Sequence, residues 1–239
     1  MTCEIQMKVN LGCGSKILQG WVNLDKYDVY PVDVVHDLET FPYPFETGSC
    51  TEILMNHVLE HLGADADIFN GVVKELHRIC AHDARLYINV PHPRHDTFLS
   101  DPTHVRPVTA DVLRLYDQTL NKEWEKSNVA NTPLGILCGV NFVVESTHYV
   151  LEEKYQEQVA QGKISEDEVW AMISERNNIA REIQIIWKAV KLYRHLATSS
   201  KMQHAVFGSE GLDRIRLATL LRLIDSMPCL LYTSPSPRD

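Results

Sequence analysis

Residues Val9–Ser15 read VNLGCGS and are followed by residues Trp21–Asp25, which read WVNLD. An apolar run therefore ends at two glycines one residue apart, Gly12 and Gly14, and a second apolar run ends at Asp25. Glycines at a strand end allow the backbone to turn with positive φ and to approach a ligand closely. A carboxylate at the end of the next strand can accept hydrogen bonds from both hydroxyls of a ribose. The pair predicts a nucleoside bound at the carboxyl ends of parallel strands.

The spacing argues against two common phosphate-binding motifs. A dinucleotide fingerprint requires G-x-G-x-x-G and an acidic residue about twenty positions on. Ile17 stands in place of the third glycine, and Asp25 follows Gly14 by only eleven positions. The sequence also contains no G-x-x-x-x-G-K-[ST] loop. The motif favours a nucleoside without a pyrophosphate, although the glycines alone also fit an ordinary strand-to-loop turn.

Apolar runs alternate with amphipathic stretches along the chain, which predicts βαβ units and a largely parallel sheet. The spacing of apolar residues over Asp65–Cys80 predicts a helix, and a further helix is predicted to begin near Thr109. Late strands are predicted near 140–151 and 182–190, the second with an amphipathic helix over 179–196 as its alternative. The five early strands are predicted at Lys8–Leu11, Val22–Asp25, Val32–Asp37, Glu52–Asn56 and Ala84–Pro91.

Taken in order, several motifs resemble one subgroup of class I S-adenosylmethionine (SAM) methyltransferases. The subgroup pattern is N-L-G-C-G, G-W-x-N-x-D, D-L, P-F, H-V-L-E-H-L and L-x-I-x-V-P, and the resemblance extends from about Lys8 to Tyr116. It implies a Rossmann-like, doubly wound, mostly parallel seven-stranded sheet whose last strand pair is antiparallel. SAM is the implied cofactor. The short stretch between Gly14 and Trp21 predicts a turn or a single helical turn where this fold commonly has a long helix.

The same resemblance implies the cofactor-binding residues. Asp37 would accept a hydrogen bond from the adenine amine, and the backbone amide of Leu38 would meet a ring nitrogen; the alternative for Asp37 is a solvated acid at a strand end. Asn56 and His57 would line the pocket, and Cys13 would be a small filler within the turn. The full set is Asn10, Gly12, Cys13, Gly14, Asp25, Asp37, Leu38, Asn56 and His57.

The loops after the fifth predicted strand are rich in histidine and arginine, and loops at the carboxyl ends of strands carry function in such sheets. A histidine has a pKa suited to removing a proton from an acceptor, and an arginine can hold an anionic group. We therefore predict His92 and His104 as catalytic residues. Arg94, His95 and Arg106 are the predicted substrate-binding residues. The alternative is that these side chains only join a lid by hydrogen bonds.

Residues 57–61 also match H-x-x-E-H, an inverted form of a zinc-protease signature. That interpretation requires His57 to lie within a helix, whereas the preceding strand is predicted to end there. No further acidic ligand is indicated downstream. We therefore expect no metal, with Glu60 and His61 beginning a helix and packing locally.

Composition limits the range of partners and locations. A formal net charge of −9 gives no support to a nucleic-acid substrate. The sequence has no signal peptide pattern and no apolar run near the roughly eighteen residues of a membrane span. The six cysteines form no C-x-x-C pair, which is typical of reduced thiols in a cytoplasmic protein.

These observations predict a SAM-dependent methyltransferase that acts on an oxygen or nitrogen atom of a small-molecule or glycan-type acceptor. The alternative is a SAM- or nucleoside-binding protein without transferase chemistry, because a fold alone does not determine function. Residues 1–198 are predicted to form the methyltransferase domain, with a helical insert near 152–178. Residues 199–228 have a helical pattern, and residues 229–239 resemble a non-native or disordered tail.

Overall fold

The computed structural model describes residues 7–191, in which seven strands form a single sheet. The strands are β1 (Met7–Leu11), β2 (Val22–Asp25), β3 (Val34–Val35), β4 (Cys50–Asn56), β5 (Cys80–Pro91), β6 (Phe142–Leu151) and β7 (Ala180–Ala189). The α-helices are α1 (Ala66–Ile79), α2 (Asp96–Leu99), α3 (Ala110–Arg114), α4 (Gln118–Lys126), α5 (Leu134–Cys138), α6 (Glu153–Ala160) and α7 (Glu166–Glu175). A 3-10 turn over Leu59–His61 follows β4.

The strand order is β3-β2-β1-β4-β5-β7-β6. Strands β1 to β5 pair in parallel, and β7 lies antiparallel between β5 and β6. This confirms the predicted Rossmann-like seven-stranded sheet with an antiparallel last pair. The chain runs outward from β1 to β3 and then crosses to β4 on the other side of β1. Such a reversal opens a crevice at the carboxyl ends of the strands, where open α/β sheets bind ligands.

The observed strands differ from the predicted ones most at β5 and β3. Strand β5 begins at Cys80, four residues before the predicted start at Ala84. Strand β3 comprises only Val34–Val35, and the Asp33 carboxylate just before it accepts hydrogen bonds from the backbone and side chain of Asn23. The alternative helix over 179–196 is wrong for residues 180–189, which form β7. Its buried residues alternate with more exposed ones, as expected of a strand that packs mainly through one face.

The hydrophobic core lies between the sheet and the helices packed on it. Asp65 caps α1 by accepting hydrogen bonds from the amides of Asp67 and Ile68, as an N-cap side chain does. In β7, Trp187 is fully buried and stacks on Phe142 of β6, with ring centroids 3.9 Å apart. The helix α1 faces the same core through Phe69, Val72, Val73, Leu76 and Ile79.

The segment between β6 and β7 contains α6 and α7 and has a small core of its own, which includes Val169 and Ile173. Helix α7 begins with a capping box, in which Ser165 and Glu168 bond each other's backbone amides. None of the helices between residues 7 and 191 combines the length and apolar composition that crossing a bilayer requires. The segments 199–228 and 229–239 lie outside the described residues.

The connection from β1 to β2 contains no helix and is held instead by buried amides. Asn10 and Asn23 are 2% and 3% exposed, and Asn10 Nδ2 donates to Asn23 Oδ1 at 3.0 Å. Asn10 also donates to the Lys16 carbonyl, while Asn23 Oδ1 accepts from the Leu18 amide. Asn23 Nδ2 donates to Asp33 at 3.0 Å. The two amides therefore fix the glycine turn and join it to the residues before β3.

We predict that Asn23→Ala destabilises the protein strongly. The substitution removes one of the two hydrogen bonds of the buried Asn10 amide and leaves the Leu18 amide without its acceptor, which should lower the free energy of unfolding by roughly 2–3 kcal/mol. Asn131→Ala, at an exposed position, is the control and should change it by less than about 0.5 kcal/mol. Urea denaturation measures both variants, and equal midpoints would contradict the role given to Asn23.

Candidate functional site

A cavity of about 620 Å³ lies at the carboxyl ends of β1, β2 and β4. The order of the strands reverses between β1 and β4, and the cavity lies at this position. The residues around it come from the glycine turn, the segment after β2, the segment after β3 and the 3-10 turn. They are Gly12, Gly14, Leu24, Asp25, Lys26, Tyr27, Val29, Tyr30, His36, Asp37, Leu38, Glu39, His57, Val58, His61, Leu62 and Thr103.

Both glycines of the turn have positive φ, +64° at Gly12 and +49° at Gly14, which L residues with a Cβ rarely adopt. Their surroundings differ. A Cβ on Gly12 would lie 2.6 Å from Val58 Cγ2, whereas a Cβ on Gly14 would have no atom within 4 Å. Gly12 therefore lets β1 pack closely against Val58, and Gly14 leaves space beside the cavity.

Asp25 ends β2 and faces the cavity beside this turn. One carboxylate oxygen accepts a hydrogen bond from the Gly14 amide at 2.8 Å, and the other accepts one from the Tyr27 amide at 3.1 Å. These bonds fix the orientation of the carboxylate, and each oxygen keeps a lone pair for a ligand hydroxyl.

The opposite part of the cavity is formed by Asp37 and Leu38. The Tyr43 hydroxyl donates to the Leu38 carbonyl at 2.7 Å, and Asp37 Oδ1 accepts from the Glu39 amide at 3.0 Å. These two hydrogen bonds therefore fix the conformation of the turn formed by Asp37 and Leu38. Exposed apolar side chains line the same cavity, namely Tyr27, Val29 and Tyr30.

His57 forms part of the cavity wall next to the 3-10 turn. Its backbone has a φ of 55° directly after β4, so His57 lies at the strand end and outside a helix, as predicted. Its Nε2 lies 2.9 Å from Glu182, and its Nδ1 lies 3.4 Å from Glu60. The Glu60 carboxylate, and to a smaller extent Glu182, raises the pKa of His57, while partial burial acts in the opposite direction.

The structure brings six of the nine predicted cofactor residues together around this cavity, which are Gly12, Gly14, Asp25, Asp37, Leu38 and His57. Three others lie outside its lining. Asn10 is bonded within the buried amide network, and Asn56 accepts a hydrogen bond from Asn89. Cys13 is buried, and burial followed by the nearby Asp25 raises the pKa of its thiol. These three residues support the turn and the strand ends.

The predicted substrate-binding residues after β5 do not line the cavity. Arg94 donates to the Ser174 carbonyl of α7, and His95 caps α2 while its Nε2 lies 3.0 Å from Glu152. Arg106 donates to the Gly63 carbonyl at 2.6 Å and lies over the Phe69 ring. All three connect the loops to the body of the domain, which is the alternative role considered for this segment.

The two predicted catalytic histidines are placed differently. His92 is 9% exposed and lies against Tyr149, outside the cavity lining, and burial lowers its pKa. His104 also lies outside the lining, but its ring is 4.6 Å from that of His61, which lines the cavity. His104 therefore adjoins the cavity through His61 and His92 does not.

Several lining residues were missed by the sequence reasoning. Tyr27, Val29 and Tyr30 follow β2 in a segment without a regular pattern, and His61 and Thr103 meet only in the folded chain. The one feature of the sequence that indicates Tyr27 and its neighbours as lining residues is their position just after Asp25. Residues just beyond the carboxyl end of a parallel strand lie beside the same crevice.

No protein-family model and no curated protein sequence matches the chain. Among solved structures, the chain is similar to a SAM-dependent methyltransferase from Archaeoglobus fulgidus, with 15% identity, coverage of 77% of this chain and 86% of that one, and a TM-score of 0.49. The YcgJ protein from Bacillus subtilis has 14% identity, coverage of 80% and 95%, and a TM-score of 0.43. An S-adenosylmethionine-dependent methyltransferase from Mesorhizobium loti has 14% identity, coverage of 77% and 92%, and a TM-score of 0.41. At these identities and TM-scores the similarity carries no argument about activity.

We predict that alanine is tolerated much better at Gly14 than at Gly12. Both substitutions place a Cβ in a left-handed conformation, which costs roughly 1–2 kcal/mol. Gly12→Ala also forces the new Cβ against Val58, which should add about 1–3 kcal/mol. Thermal and urea denaturation measure the difference. Equal losses of stability in the two variants would show that Val58 yields to the new methyl group without cost.

Proposed function

We propose that this chain is a SAM-dependent methyltransferase that transfers a methyl group to an oxygen or nitrogen atom of a small-molecule or glycan-type acceptor. The observation that carries the proposal is the cavity in which the glycine turn, Asp25 and the Asp37-Leu38 turn face one space. Each of these three features can bind a different part of a nucleoside cofactor.

The cavity meets the requirements of that cofactor in size and chemistry. Its volume of about 620 Å³ falls within the usual range of small-molecule sites. Asp25 offers an oriented carboxylate for the ribose hydroxyls, and Asp37 offers an acceptor for the adenine amine. The exposed rings of Tyr27 and Tyr30 offer apolar cover for a base, and aromatic side chains favour such stacked contacts. The open space at Gly14 leaves room for the methionine part.

When bound, SAM supplies a methyl group already activated by its sulfonium. The protein then has to hold the acceptor in line with that group and to exclude water. The cavity wall formed by His57, His61 and Thr103 lies next to the glycine turn, so we place the acceptor on this side. Both ring nitrogens of His57 face carboxylates, Glu182 and Glu60, and Glu60 raises the pKa of His57, so these contacts hold the imidazole in place as the wall beside the acceptor.

The acidic character of the chain supports a small acceptor. The formal net charge is −9, and the carboxylates that line the cavity, Asp25, Asp37 and Glu39, outnumber its one lysine, Lys26, so the site disfavours the phosphates of a nucleic-acid backbone. A neutral hydroxyl compound or a sugar meets no such repulsion. We therefore retain a small molecule or glycan as the acceptor and exclude nucleic acid from the proposal.

We predict that the purified chain binds S-adenosylhomocysteine and that Asp25→Asn weakens this binding by roughly tenfold or more, because a hydrogen bond to a charged group contributes about 1.5–3 kcal/mol. Isothermal titration calorimetry measures the dissociation constant. Asp28→Asn is the matched control, since Asp28 is an exposed acid of the same segment outside the cavity lining. A folded protein without affinity at millimolar ligand would refute the proposed cofactor, and equal affinities of both variants would refute the role of Asp25.

We further predict methyl transfer to an oxygen or nitrogen acceptor. A screen of hydroxyl, phenol, amine and sugar compounds with methyl-labelled SAM should give at least one labelled product, detected by mass spectrometry. Asp25→Asn should lower the rate at subsaturating SAM, and Asp28→Asn should not. Binding of the cofactor without any labelled product across these classes would favour the alternative, a SAM-binding protein without transferase chemistry.

A further inference from the structure

We propose that Glu60, His61 and His104 form a binding site for a divalent transition-metal ion at the edge of the cavity. Glu60 and His61 belong to the 3-10 turn after β4, and His104 comes from the loop after α2. One potential ligand atom from each residue lies within 4.8 Å of those of the other two. The fold thus brings two imidazoles and one carboxylate from two separate segments close enough to share one ion.

Glu60 is the observation that points to a cation. Its side chain is fully buried, and among residues 7–191 no donor makes a hydrogen bond to either carboxylate oxygen. Of the basic groups in this range, only the imidazole of His57 lies within ion-pair distance of Glu60, with its Nδ1 3.4 Å from Oε1. A buried carboxylate without full compensation is strongly unfavourable. A bound cation beside Oε2 would supply the missing partner.

His104 is held in the state that a metal ligand requires. Its Nδ1 lies 2.8 Å from the Phe98 carbonyl oxygen, which can only accept, so Nδ1 donates there and Nε2 is the ring nitrogen that faces a metal. The ring also stacks on Phe98, with centroids 5.2 Å apart. Asp101 Oδ2 lies 3.9 Å from Nε2, beyond hydrogen-bond distance.

His61 is oriented in the same way. Its Nδ1 lies 2.9 Å from Thr103 Oγ1, and the Thr103 hydroxyl is itself 2.6 Å from Asp101 Oδ1. Since the threonine proton goes to the carboxylate, His61 Nδ1 donates to the threonine oxygen and its Nε2 is left free. Metal-bound histidines characteristically donate their other N–H to a carbonyl, carboxylate or similar acceptor, which fixes the ring. Both rings of the cluster have this outer support.

The ligand set selects the class of metal. Two imidazole nitrogens and one carboxylate oxygen suit Zn²⁺ and related transition-metal ions, whereas Mg²⁺ and Ca²⁺ prefer oxygen ligands throughout. Three protein ligands leave at least one coordination position open. His61 and Thr103 line the cavity, so this position borders the space proposed for the acceptor. A hydroxyl bound to such an ion ionises more easily, which would favour an oxygen acceptor; this last step rests on the proposed function.

This inference revises the expectation of no metal. That expectation rested on His57 lying outside a helix and on the lack of a further ligand. The structure confirms that His57 lies outside a helix. His104 is instead the third residue of the cluster, because the loop after β5 returns to the 3-10 turn. The Val105 and Arg106 amides both donate to the Glu60 carbonyl, at 3.0 and 3.2 Å, and hold His104 beside it.

Titration of the metal-free protein with Co²⁺ and with Zn²⁺ tests the site, with Co²⁺ absorption reporting ligand geometry and calorimetry reporting stoichiometry. We expect one ion per chain and a rise in melting temperature with Zn²⁺. Glu60→Gln and His104→Ala should each weaken binding by roughly a hundredfold or more, in line with the loss of a ligand or its support. His148→Ala, which removes an exposed histidine of β6, is the control and should bind as the unmodified protein does.

Glu60→Gln keeps the shape of the side chain and removes a buried charge, so it provides the test even if His104→Ala does not fold. Binding that is absent in the unmodified protein, or that survives in both folded variants, would overturn the inference. The inference would also be overturned if Glu60→Gln and His148→Ala weakened metal binding equally. That result would mean that the ion binds at adventitious surface sites. S-adenosylhomocysteine titration of the same samples separates this result from the proposed function, since Asp25 and Asp37 do not belong to the metal cluster.

Discussion

The buried pairing of Asn10 with Asn23 is the constraint on which the cofactor side of the site depends. The connection between β1 and β2 contains no helix to hold its ends, so side-chain amides replace the packing that a helix would provide. Because Asn23 also bonds the Asp33 carboxylate, the same contact positions the chain that leads to Asp37. The glycine turn, Asp25 and the Asp37-Leu38 turn are therefore placed by one buried polar network, and such networks specify a structure only when their members are bonded.

The acceptor side is organised around a second buried polar residue, Glu60. Its backbone carbonyl receives the amides of the returning loop, while Arg106 bonds the Gly63 carbonyl on the other side of the turn. These contacts explain why the loop residues predicted to bind substrate have structural roles. They also place His104 next to His61, which no local feature of the sequence indicates. The cavity is thus bounded by two polar networks, one for the proposed cofactor and one for the proposed metal.

The sequence predicted the fold correctly, and six of the nine residues it assigned to the cofactor line the cavity, because both depend on local patterns. An apolar run predicted β7 near 182–190, with a helix left as the alternative, and the glycine pair and Asp25 follow from strand-end chemistry. The sequence did not predict the contacts of Arg94, His95 and Arg106, since each bonds a segment distant along the chain. It also assigned Asn10 to the cofactor, although its side chain is used within the turn. Residue type indicates possible chemistry, but only the folded path determines which polar group each side chain meets.

The most direct test of the central claim is a crystal structure of the chain grown with S-adenosylhomocysteine. We expect the ribose hydroxyls within hydrogen-bond distance of the Asp25 carboxylate and the adenine beside Asp37 and Leu38, with the exposed rings after β2 covering the base. The sulfur should point toward the wall formed by His57 and His61. A ligand bound elsewhere, or bound here with its adenosine away from Asp25 and Leu38, would contradict the account.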